Sequence, residues 1–256
     1  MDAIVDNKTQ DNKNQDNRQI VEPRARVGLI VPSVNRMSEL QFNHFAPEGL
    51  GIHVARARIT GQWRKPAVEM KDEITRSAEA LADSGPDLIV YHCTDSSMRE
   101  GRAGERTLTD IVKAATGVET VATSTLVIEA LRALDIKSVV LLSPYQNNDV
   151  IVRYLEENGI AVKADVALKL DGHAFTAVTP RQWLDLARQH DRPDADGIFL
   201  SCTNTTQIEA IEDIELALGK PVVNSNQAVL WGALKRLGGK LGSVQPSARL
   251  GRLMNA

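Results

Sequence analysis

The feature that most constrains the fold of this chain is a repeat of three landmarks in its two halves. A strand-like apolar run ends next to Pro32 in the first half and Pro144 in the second, and an asparagine stands three residues after each proline. Each half then has a Cys-Thr pair directly after another apolar run, at Cys93 and Cys202. The proline and the cysteine are 61 residues apart in the first half and 58 in the second. This repeat predicts two similar halves related by an approximate twofold axis.

Within each half, short apolar runs alternate with segments of helical periodicity. Short runs rich in aliphatic residues predict strands at 26–31, 87–91, 120–122, 138–142, 160–168, 197–201 and 221–223, of which 26–31 and 87–91 are predicted to be buried. Apolar residues at helical spacing predict helices over 67–83, 107–116, 124–134, 149–157, 180–190, 205–218 and 226–237. Such alternation is typical of βαβ units around a parallel sheet. We therefore predict an α/β fold of two pseudo-symmetric, doubly wound (Rossmann-like) lobes with parallel sheets and the active site in the cleft between them.

Composition along the chain predicts four segments. Residues 1–24 are rich in Asn, Asp, Gln and Lys, and we expect a disordered N-terminal tail because they cannot bury enough apolar surface to offset the loss of chain entropy. Residues 25–136 are the first predicted lobe, and residues 137–240 are the second. Residues 241–256 show little periodicity and are predicted to form a loose C-terminal tail.

Charge and motif content exclude several classes of function. The formal net charge is −3 with no clustered basic face, which argues against nucleic-acid binding. No apolar run approaches the ~18 residues of a membrane span, and no signal-peptide core is present, so we expect a cytoplasmic protein. The five histidines and two cysteines lack metal-ligand spacing. The glycines of 99–104 lack the GxGxxG pattern of a nucleotide loop. We expect neither a metal nor an organic cofactor.

The two cysteines are the strongest candidates for chemistry. Both are predicted at the carboxyl ends of parallel strands, where ligands bind in open sheets, so closing the lobes would place Cys93 and Cys202 on opposite walls of one cleft. A buried cysteine is ordinarily a small packing residue, but packing gives no reason for it to recur at matched strand ends. A thiol of pKa ~8.5 serves as acid, base or nucleophile near neutral pH after a modest shift.

Two reactions suit a pair of thiols on opposite faces of a planar carbon. One thiolate can remove a proton while the other thiol returns one, which racemises the carbon. Alternatively, one thiolate adds to an activated double bond, rotation follows, and elimination gives the other geometric isomer. Each cysteine is predicted at a turn from strand to helix, where free backbone N–H groups favour a thiolate and bind carboxylates. The polar residues that follow the cysteines are candidates for substrate binding or for simple helix capping; they include Thr94, Asp95 and Thr203.

Five short motifs, and the order in which they occur, are similar to those of a known family. They are Val31-Pro32-Ser33-Val34-Asn35, Tyr91-His92-Cys93, Ser143-Pro144-Tyr145, Leu200-Ser201-Cys202-Thr203 and Pro221-Val222-Val223-Asn224-Ser225-Asn226-Gln227. Over roughly residues 25 to 240 the chain resembles the maleate isomerase and arylmalonate decarboxylase branch of the aspartate/glutamate racemase superfamily. The resemblance implies two pseudo-symmetric lobes that each contribute one cysteine.

The resemblance also implies roles for individual residues. Cys93 would be the nucleophile and Cys202 the acid and base. Decarboxylases of this branch carry glycine at the first cysteine position, so the presence of Cys93 argues against decarboxylation. The positions implied to contact substrate are Asn35 and Tyr145, which hold a carboxylate, Thr94, Asp95 and Thr203, which occupy a dioxyanion pocket, and His173.

We therefore predict a cofactor-independent isomerase of a small carboxylic acid, converting maleate to fumarate through a covalent cysteine adduct. A racemase of an aspartate-like, glutamate-like or ectoine-related acid is the second hypothesis, because Asp95 suits an ammonium group and Cys202-Thr203-Asn204 is similar to the signature of amino-acid racemases. A non-catalytic small-ligand binding protein that uses the same cleft is the third hypothesis. An arylmalonate-type decarboxylase is a further alternative, which the presence of Cys93 disfavours. A homodimer is the expected assembly.

Overall fold

A computed structural model describes residues 21–243 and 247–256 of the chain. The predicted disordered tail therefore lies outside the described residues up to position 20. Residues 21–24 belong to no helix or strand, and β1 begins at Ala25.

The strands form two four-stranded parallel sheets, as the repeat predicts. The first sheet has the order β2-β1-β3-β4 and the second has the order β6-β5-β7-β8, so the two orders are equivalent. All pairs of neighbouring strands are parallel. The strands are β1 (Ala25–Pro32), β2 (Leu50–Ala57), β3 (Leu88–Tyr91), β4 (Thr120–Ala122), β5 (Ser138–Ser143), β6 (Ala161–Ala167), β7 (Gly197–Leu200) and β8 (Val222–Asn224).

The equivalence extends to the residues that precede the cysteines. Just beyond β3, the N–H of His92 donates to the carbonyl of Ile30 at 2.8 Å, and just beyond β7, the N–H of Ser201 donates to the carbonyl of Leu142 at 2.9 Å. Each cysteine is the next residue. The central strand pairs β1/β3 and β5/β7 therefore deliver Cys93 and Cys202 from matched positions, at the carboxyl ends of their sheets.

Helices flank both sheets and make the fold α/β, as predicted. They are α1 (Ser38–Phe45), α2 (Lys71–Ala82), α3 (Thr94–Met98), α4 (Gly101–Thr116), α5 (Thr123–Ala133), α6 (Asp149–Glu157), α7 (Pro180–His190), α8 (Ile211–Leu218) and α9 (Ser225–Leu241). In the part of the chain that the structure describes, none of the helices has the length and apolar character needed to cross a membrane.

Sequence reasoning missed β2, α1 and α3. Strand β2 (LGIHVARA) lies at the edge of its sheet and is mostly half-buried, so histidine and arginine interrupt the apolar run that marks a buried strand. Helix α1 has eight residues and α3 has five, and both are too short to show a clear helical period.

One apolar cluster runs across both lobes. It contains inward-facing residues of β1 and β5, such as Leu29 and Leu142, together with Phe42 of α1 and Trp183 of α7. All four side chains are at most 2% exposed. Separate clusters cover the outer face of each sheet. The lobes therefore share an interior and form one continuous body.

Helices α5 and α9 approach closely at Gly232, and this contact can be tested. A Cβ atom at Gly232 would lie 2.5 Å from the Cδ2 of the buried Leu126, whereas a Cβ at Gly238, in the same helix, would meet nothing within 4 Å. Both changes replace glycine with a better helix former, so a difference in stability between the two variants measures the cost of the contact with Leu126. We expect Gly232→Ala to be less stable than Gly238→Ala by about 1–3 kcal/mol, measured by urea unfolding. Equal stabilities would show that the helices separate without cost.

The C-terminal segment differs from its prediction. Helix α9 continues to Leu241, and short 3-10 helices follow at Ala248–Leu250 and Arg252–Asn255. Leu250 and Leu253 are completely buried. The expectation of a loose tail is wrong for the described residues 247–256, because two leucines three residues apart bury themselves against the body of the protein without creating a recognisable helical period.

Candidate functional site

A cavity of about 550 Å³ lies between the lobes at the carboxyl ends of the strands. It is lined by segments that follow β1, β2, β3, β5 and β7, and by the loop after β6. Both cysteines belong to its lining, although each residue is at most 5% exposed. Of the predicted site residues, all but Thr94 line this cavity: Asn35, Cys93, Asp95, Tyr145, His173, Cys202 and Thr203.

Cys93 occupies the position expected from the sequence. It is the N-cap residue of α3, with extended backbone angles (φ −154°, ψ 113°). Burial raises the pKa of its thiol, and the negative charge of Asp95 raises the pKa further. Hydrogen bonds from Ser96 and the positive charge of Arg64 act in the opposite direction on the same pKa. Without ligand, Cys93 is therefore held as a thiol at neutral pH, with thiolate-stabilising groups beside it.

Cys202 departs from expectation. It does not begin a helix; residues 203–206 form a loop and a 3-10 helix starts only at Gln207. Its φ of 136° lies in a region that favours glycine, and holding a side chain there costs about 1–3 kcal/mol. Cys93, at the matched strand end, has ordinary extended angles, so the two cysteines differ in backbone conformation.

The loop that follows Cys202 supplies one hydrogen bond to its sulfur. The N–H of Asn204 donates to the Sγ of Cys202 at 3.3 Å. Burial raises the pKa of Cys202 to about 12, and the Asn204 N–H and the Tyr145 hydroxyl, both donors to the sulfur, partly oppose this increase. Nearby Cys93 and Asp95 raise the same pKa, which places all these groups within electrostatic reach of one another. Cys202 is therefore a protonated thiol at neutral pH.

Thr94 lies behind the cavity rather than in its wall. Its hydroxyl donates to the Oγ of Ser225 at 2.8 Å, and the same Oγ accepts the N–H of Cys202 at 3.3 Å. Ser225 is the first residue of α9 and follows the N-cap residue Asn224. Thr94 is therefore connected through Ser225 to the backbone of Cys202, and its predicted role in substrate binding has no support in this geometry.

Asn35 lies at the cavity, but its amide is engaged within the protein. Its Nδ2 donates to the Oγ of Ser38 at 2.9 Å and to the Oγ1 of Thr203 at 3.2 Å. Its Oδ1 accepts the N–H groups of Met37 and Ser38. Asn35 thus positions Thr203 directly, and its predicted contact with a substrate carboxylate stays a prediction.

Other residues of the segment that follows β1 hold the loop of the opposite lobe. The N–H of Arg36 donates to the Oδ1 of Asn204 at 2.8 Å, and the Nε2 of Gln41 donates to the carbonyl of Thr205 at 2.7 Å. The hydroxyl of Ser38 donates to the carbonyl of Thr203 at 3.0 Å. The first lobe therefore sets the shape of the loop that follows the second cysteine.

His92 is a functional candidate that sequence reasoning did not select. It is completely buried next to Cys93, with Nδ1 3.0 Å from the Oγ1 of Thr123 and Nε2 3.0 Å from both the Oγ of Ser38 and the Oδ1 of Asn226. Burial lowers its pKa to about 3, although the Asn226 contact opposes this. His92 is neutral at physiological pH and connects the strand of Cys93 to the second lobe.

Asp95 is paired with two arginines on the wall of the cavity. Its carboxylate accepts the Nη2 of Arg99 at 2.7 and 2.9 Å and lies 2.8 Å from the Nη2 of Arg64. Arg99 lies one helical turn after Asp95, and Arg64 lies just after the 3-10 helix Gly61–Trp63. The i, i+4 spacing of Asp95 and Arg99 can be read from the sequence, whereas only the tertiary fold places Arg64 next to Asp95.

Tyr145 and His173 line the part of the cavity contributed by the second lobe. The ring of Tyr145 packs edge-on against Phe175 with 5.8 Å between centroids. His173 lies in a 3-10 helix (Gly172–Ala174) and is exposed; its carbonyl accepts the Nη2 of Arg36 at 2.6 Å. Across 21–243 and 247–256, His, Cys, Asp and Glu nowhere gather in a group of three that could bind a metal ion.

The charge of Asp95 gives a testable effect on the thiols. Asp95 raises the pKa of Cys93 and of Cys202, so Asp95→Asn should lower both values. A larger thiolate fraction at a fixed pH means faster alkylation. We expect iodoacetamide to modify both cysteines faster in the variant at pH 8, measured by mass spectrometry of the two peptides. Unchanged rates would contradict this electrostatic coupling. Asp185→Asn, on the exposed face of α7, is the control.

Comparison with known proteins places this site in a defined context. The model of the arylmalonate decarboxylase family matches residues 23–251. The arylmalonate decarboxylase of Bordetella bronchiseptica is 28% identical over 224 residues, which cover 83% of this chain and 90% of the relative. The maleate isomerase of Geobacillus stearothermophilus is 25% identical over 229 residues, covering 83% and 91%. The crystal structure of the maleate isomerase Iso from Pseudomonas putida S16 has a TM-score of 0.78 at 25% identity, covering 90% of this chain and 98% of that one.

Proposed function

Because this chain belongs to the arylmalonate decarboxylase family, whose related proteins are enzymes, we propose that it is a cofactor-independent isomerase of a small cis-unsaturated dicarboxylic acid of the maleate type. One observation carries the proposal: the lining of a single cavity contains two cysteines, one from each lobe, and each follows the equivalent strand of its sheet. A decarboxylase of this branch is expected to have glycine at the first of these positions, and this chain has Cys93.

The first step uses Cys93 as the nucleophile. Its thiol first loses its proton to solvent, which the hydrogen bonds from Ser96 and the charge of Arg64 favour. The resulting thiolate adds to one carbon of the double bond and forms a C–S bond, while the π electrons move to the neighbouring carbon next to the second carboxylate. The thiol of Cys202 donates its proton to that carbon and becomes a thiolate. Asn204 N–H and the Tyr145 hydroxyl stabilise this thiolate through hydrogen bonds. The product is a saturated adduct on Cys93.

Rotation about the new single bond and reversal of these steps complete the reaction. The Cys202 thiolate removes a proton from the same carbon, the double bond forms again, and the C–S electrons return to Cys93 as its thiolate. No atom is gained or lost and no electron acceptor is needed. The high pKa of Cys202 suits this sequence, because a basic thiolate is required to remove a proton from a carbon next to a carboxylate.

The test is to incubate the protein with maleate in the absence of added metal and to follow fumarate by NMR. We expect fumarate to appear and a fraction of Cys93 to carry the mass of one maleic acid after acid quenching. If maleate, citraconate and other cis acids all remain unchanged while the thiols are intact, the proposal is wrong.

Racemisation of an amino acid is the second candidate, and the observation that favours it is Asp95. A carboxylate 14% exposed in the cavity wall offers a partner for an ammonium group. In D₂O, racemisation by the two thiols would exchange the α-proton of aspartate or glutamate for deuterium. Exchange at that carbon, with maleate unreactive, would select this reaction over cis–trans isomerisation.

A further inference from the structure

Three charged side chains on the first-lobe wall of the cavity take no direct part in the isomerisation steps described above, although two of them shift the pKa values of the thiols. They are Arg64, Asp95 and Arg99, which together we call the arginine clamp. The carboxylate of Asp95 is 14% exposed, whereas the side chains of Arg64 and Arg99 are 37% and 32% exposed. The acidic member is therefore the most buried of the three, and the two arginine side chains are more accessible than the carboxylate that they contact.

The arginine clamp has an excess of one positive charge. Two guanidinium groups share one carboxylate, and Asp95 engages the Nη2 atom of each. A guanidinium has five N–H donors, so most donors of the clamp are not used by Asp95. The Nε of Arg99 is buried without a hydrogen-bond partner among the described residues. Asp171, the other acidic residue of the lining, is exposed on the second lobe.

The carboxylates of a four-carbon acid do not need the arginine clamp. Neutral donors of the lining other than those that hold the Cys202 sulfur can bind them, including the Thr203 hydroxyl and the side-chain amide of Asn204. The cavity volume of about 550 Å³ is in the range of ~300–1,000 Å³ that accommodates drug-sized ligands. Room and positive charge are thus left on the side of Arg64 after a maleate-sized acid is placed between the cysteines.

The geometry points to a specificity subsite: Arg64 and Arg99, oriented by Asp95, bind an additional acidic group of the substrate. The substrate class is then a cis-unsaturated acid that carries a third carboxylate on a short branch. This inference rests on the proposed isomerase function for the reaction, but the subsite itself is defined by charge and position. Bidentate binding of a carboxylate by arginine is the strongest charge-assisted hydrogen bond available to such a group.

The binding test uses a matched pair of saturated acids that cannot react. Tricarballylate is glutarate with one additional carboxylate on its central carbon. We expect calorimetry to show that the unaltered protein binds tricarballylate at least about tenfold more tightly than glutarate, since a hydrogen bond to a charged group contributes about 1.5–3 kcal/mol. Arg64→Gln with Arg99→Gln should reduce this preference to within about twofold. Arg181→Gln, at an exposed site on α7, is the matched control and should retain it.

The catalytic test uses a matched pair of substrates. Citraconate and cis-aconitate carry a methyl group and a carboxymethyl group, respectively, on the same carbon of maleate. We expect kcat/KM to favour cis-aconitate at least about tenfold, mainly through KM, and the double arginine variant to lose that preference. Because the Arg64 charge also acts on the Cys93 thiol, the readout is the ratio of the two kcat/KM values, in which any change in rate common to both acids cancels. Thermal unfolding of the variant confirms that it is folded.

The outcomes separate the subsite from the proposed reaction. If tricarballylate is preferred through the arginines but no cis acid is isomerised, the isomerase proposal is wrong and the subsite is supported. If maleate is isomerised but the arginine changes affect all acids equally, the subsite is overturned and the reaction stands. The subsite is also overturned if aspartate binds more tightly than succinate and Asp95→Asn removes that preference, because the clamp then serves an ammonium group.

Discussion

Replacing either cysteine with serine is expected to abolish isomerisation of a maleate-type acid, but at different steps. In Cys93→Ser no C–S bond can form, because an unactivated hydroxyl is a far weaker nucleophile than a thiolate. We expect kcat/KM to fall by about 10³-fold or more, without any adduct. In Cys202→Ser the nucleophile is retained but the proton carrier is lost, and loss of a positioned acid or base costs about 10²–10⁴-fold.

The two variants differ in what intact-protein mass spectrometry should detect. Cys202→Ser should accumulate acid on Cys93 over long incubations, because its serine hydroxyl is too weak a base to reverse the addition. Cys93→Ser should remain unmodified. Ser201→Ala is the control: the hydroxyl of Ser201 is buried without a partner in the part of the chain that the structure describes, so its removal should leave turnover intact. Full activity in Cys93→Ser would refute the covalent mechanism.

Changing His92 to glutamine is expected to make the free energy of unfolding less dependent on pH between pH 7 and pH 4.5. The pKa of His92 is about 3 in the folded protein because of burial, and about 6.5 in the unfolded chain. The unfolded state therefore binds more protons between pH 6.5 and pH 3. The contribution of His92 to stability is complete above pH 6.5 and decreases as the pH falls towards 3, by about 1.4 kcal/mol per pH unit.

We expect the His92→Gln variant to be less stable than the unaltered protein by about 1–3 kcal/mol at pH 7, because Thr123, Ser38 and Asn226 lose an imidazole partner in a buried network. Between pH 7 and pH 4.5, the free energy of unfolding of the unaltered protein should fall by about 2–3 kcal/mol more than that of the variant. The difference in stability between the two proteins should therefore shrink or reverse. Urea unfolding at the two pH values measures it. His44→Gln, at an exposed position, is the control. A difference that is independent of pH would show that His92 is not buried in its neutral form.

The alternation of strands and helices predicted parallel sheets, and the repeat predicted that there would be two of them. It also predicted that Cys93 and Cys202 would reach one cavity, since both follow central strands whose carboxyl ends face the lobe boundary. The sequence could not predict β2, because an edge strand tolerates polar residues on its half-exposed faces.

The remaining parts of the site depend on contacts between distant segments. Arg64 comes to Asp95 from a loop 31 positions away along the chain, and no local pattern marks that approach. Thr94 and Asn35 have residue types suited to carboxylate binding, but their side chains are engaged by Ser225 and by Ser38 and Thr203. Residue type therefore predicted which segments form the site, whereas long-range hydrogen bonds determine which polar atoms are free to meet a ligand.

The apolar interior common to both lobes constrains how such a chain could have arisen. A half-length protein with only one of these sheets would leave one broad apolar face exposed to water, at a cost proportional to its area. Self-association would cover that face and would bring the cysteines of two identical subunits together across a symmetric groove. Fusion of the two copies would then have allowed one to acquire Arg64, Asp95 and Arg99 while the other acquired Tyr145, so that identical walls became unlike ones.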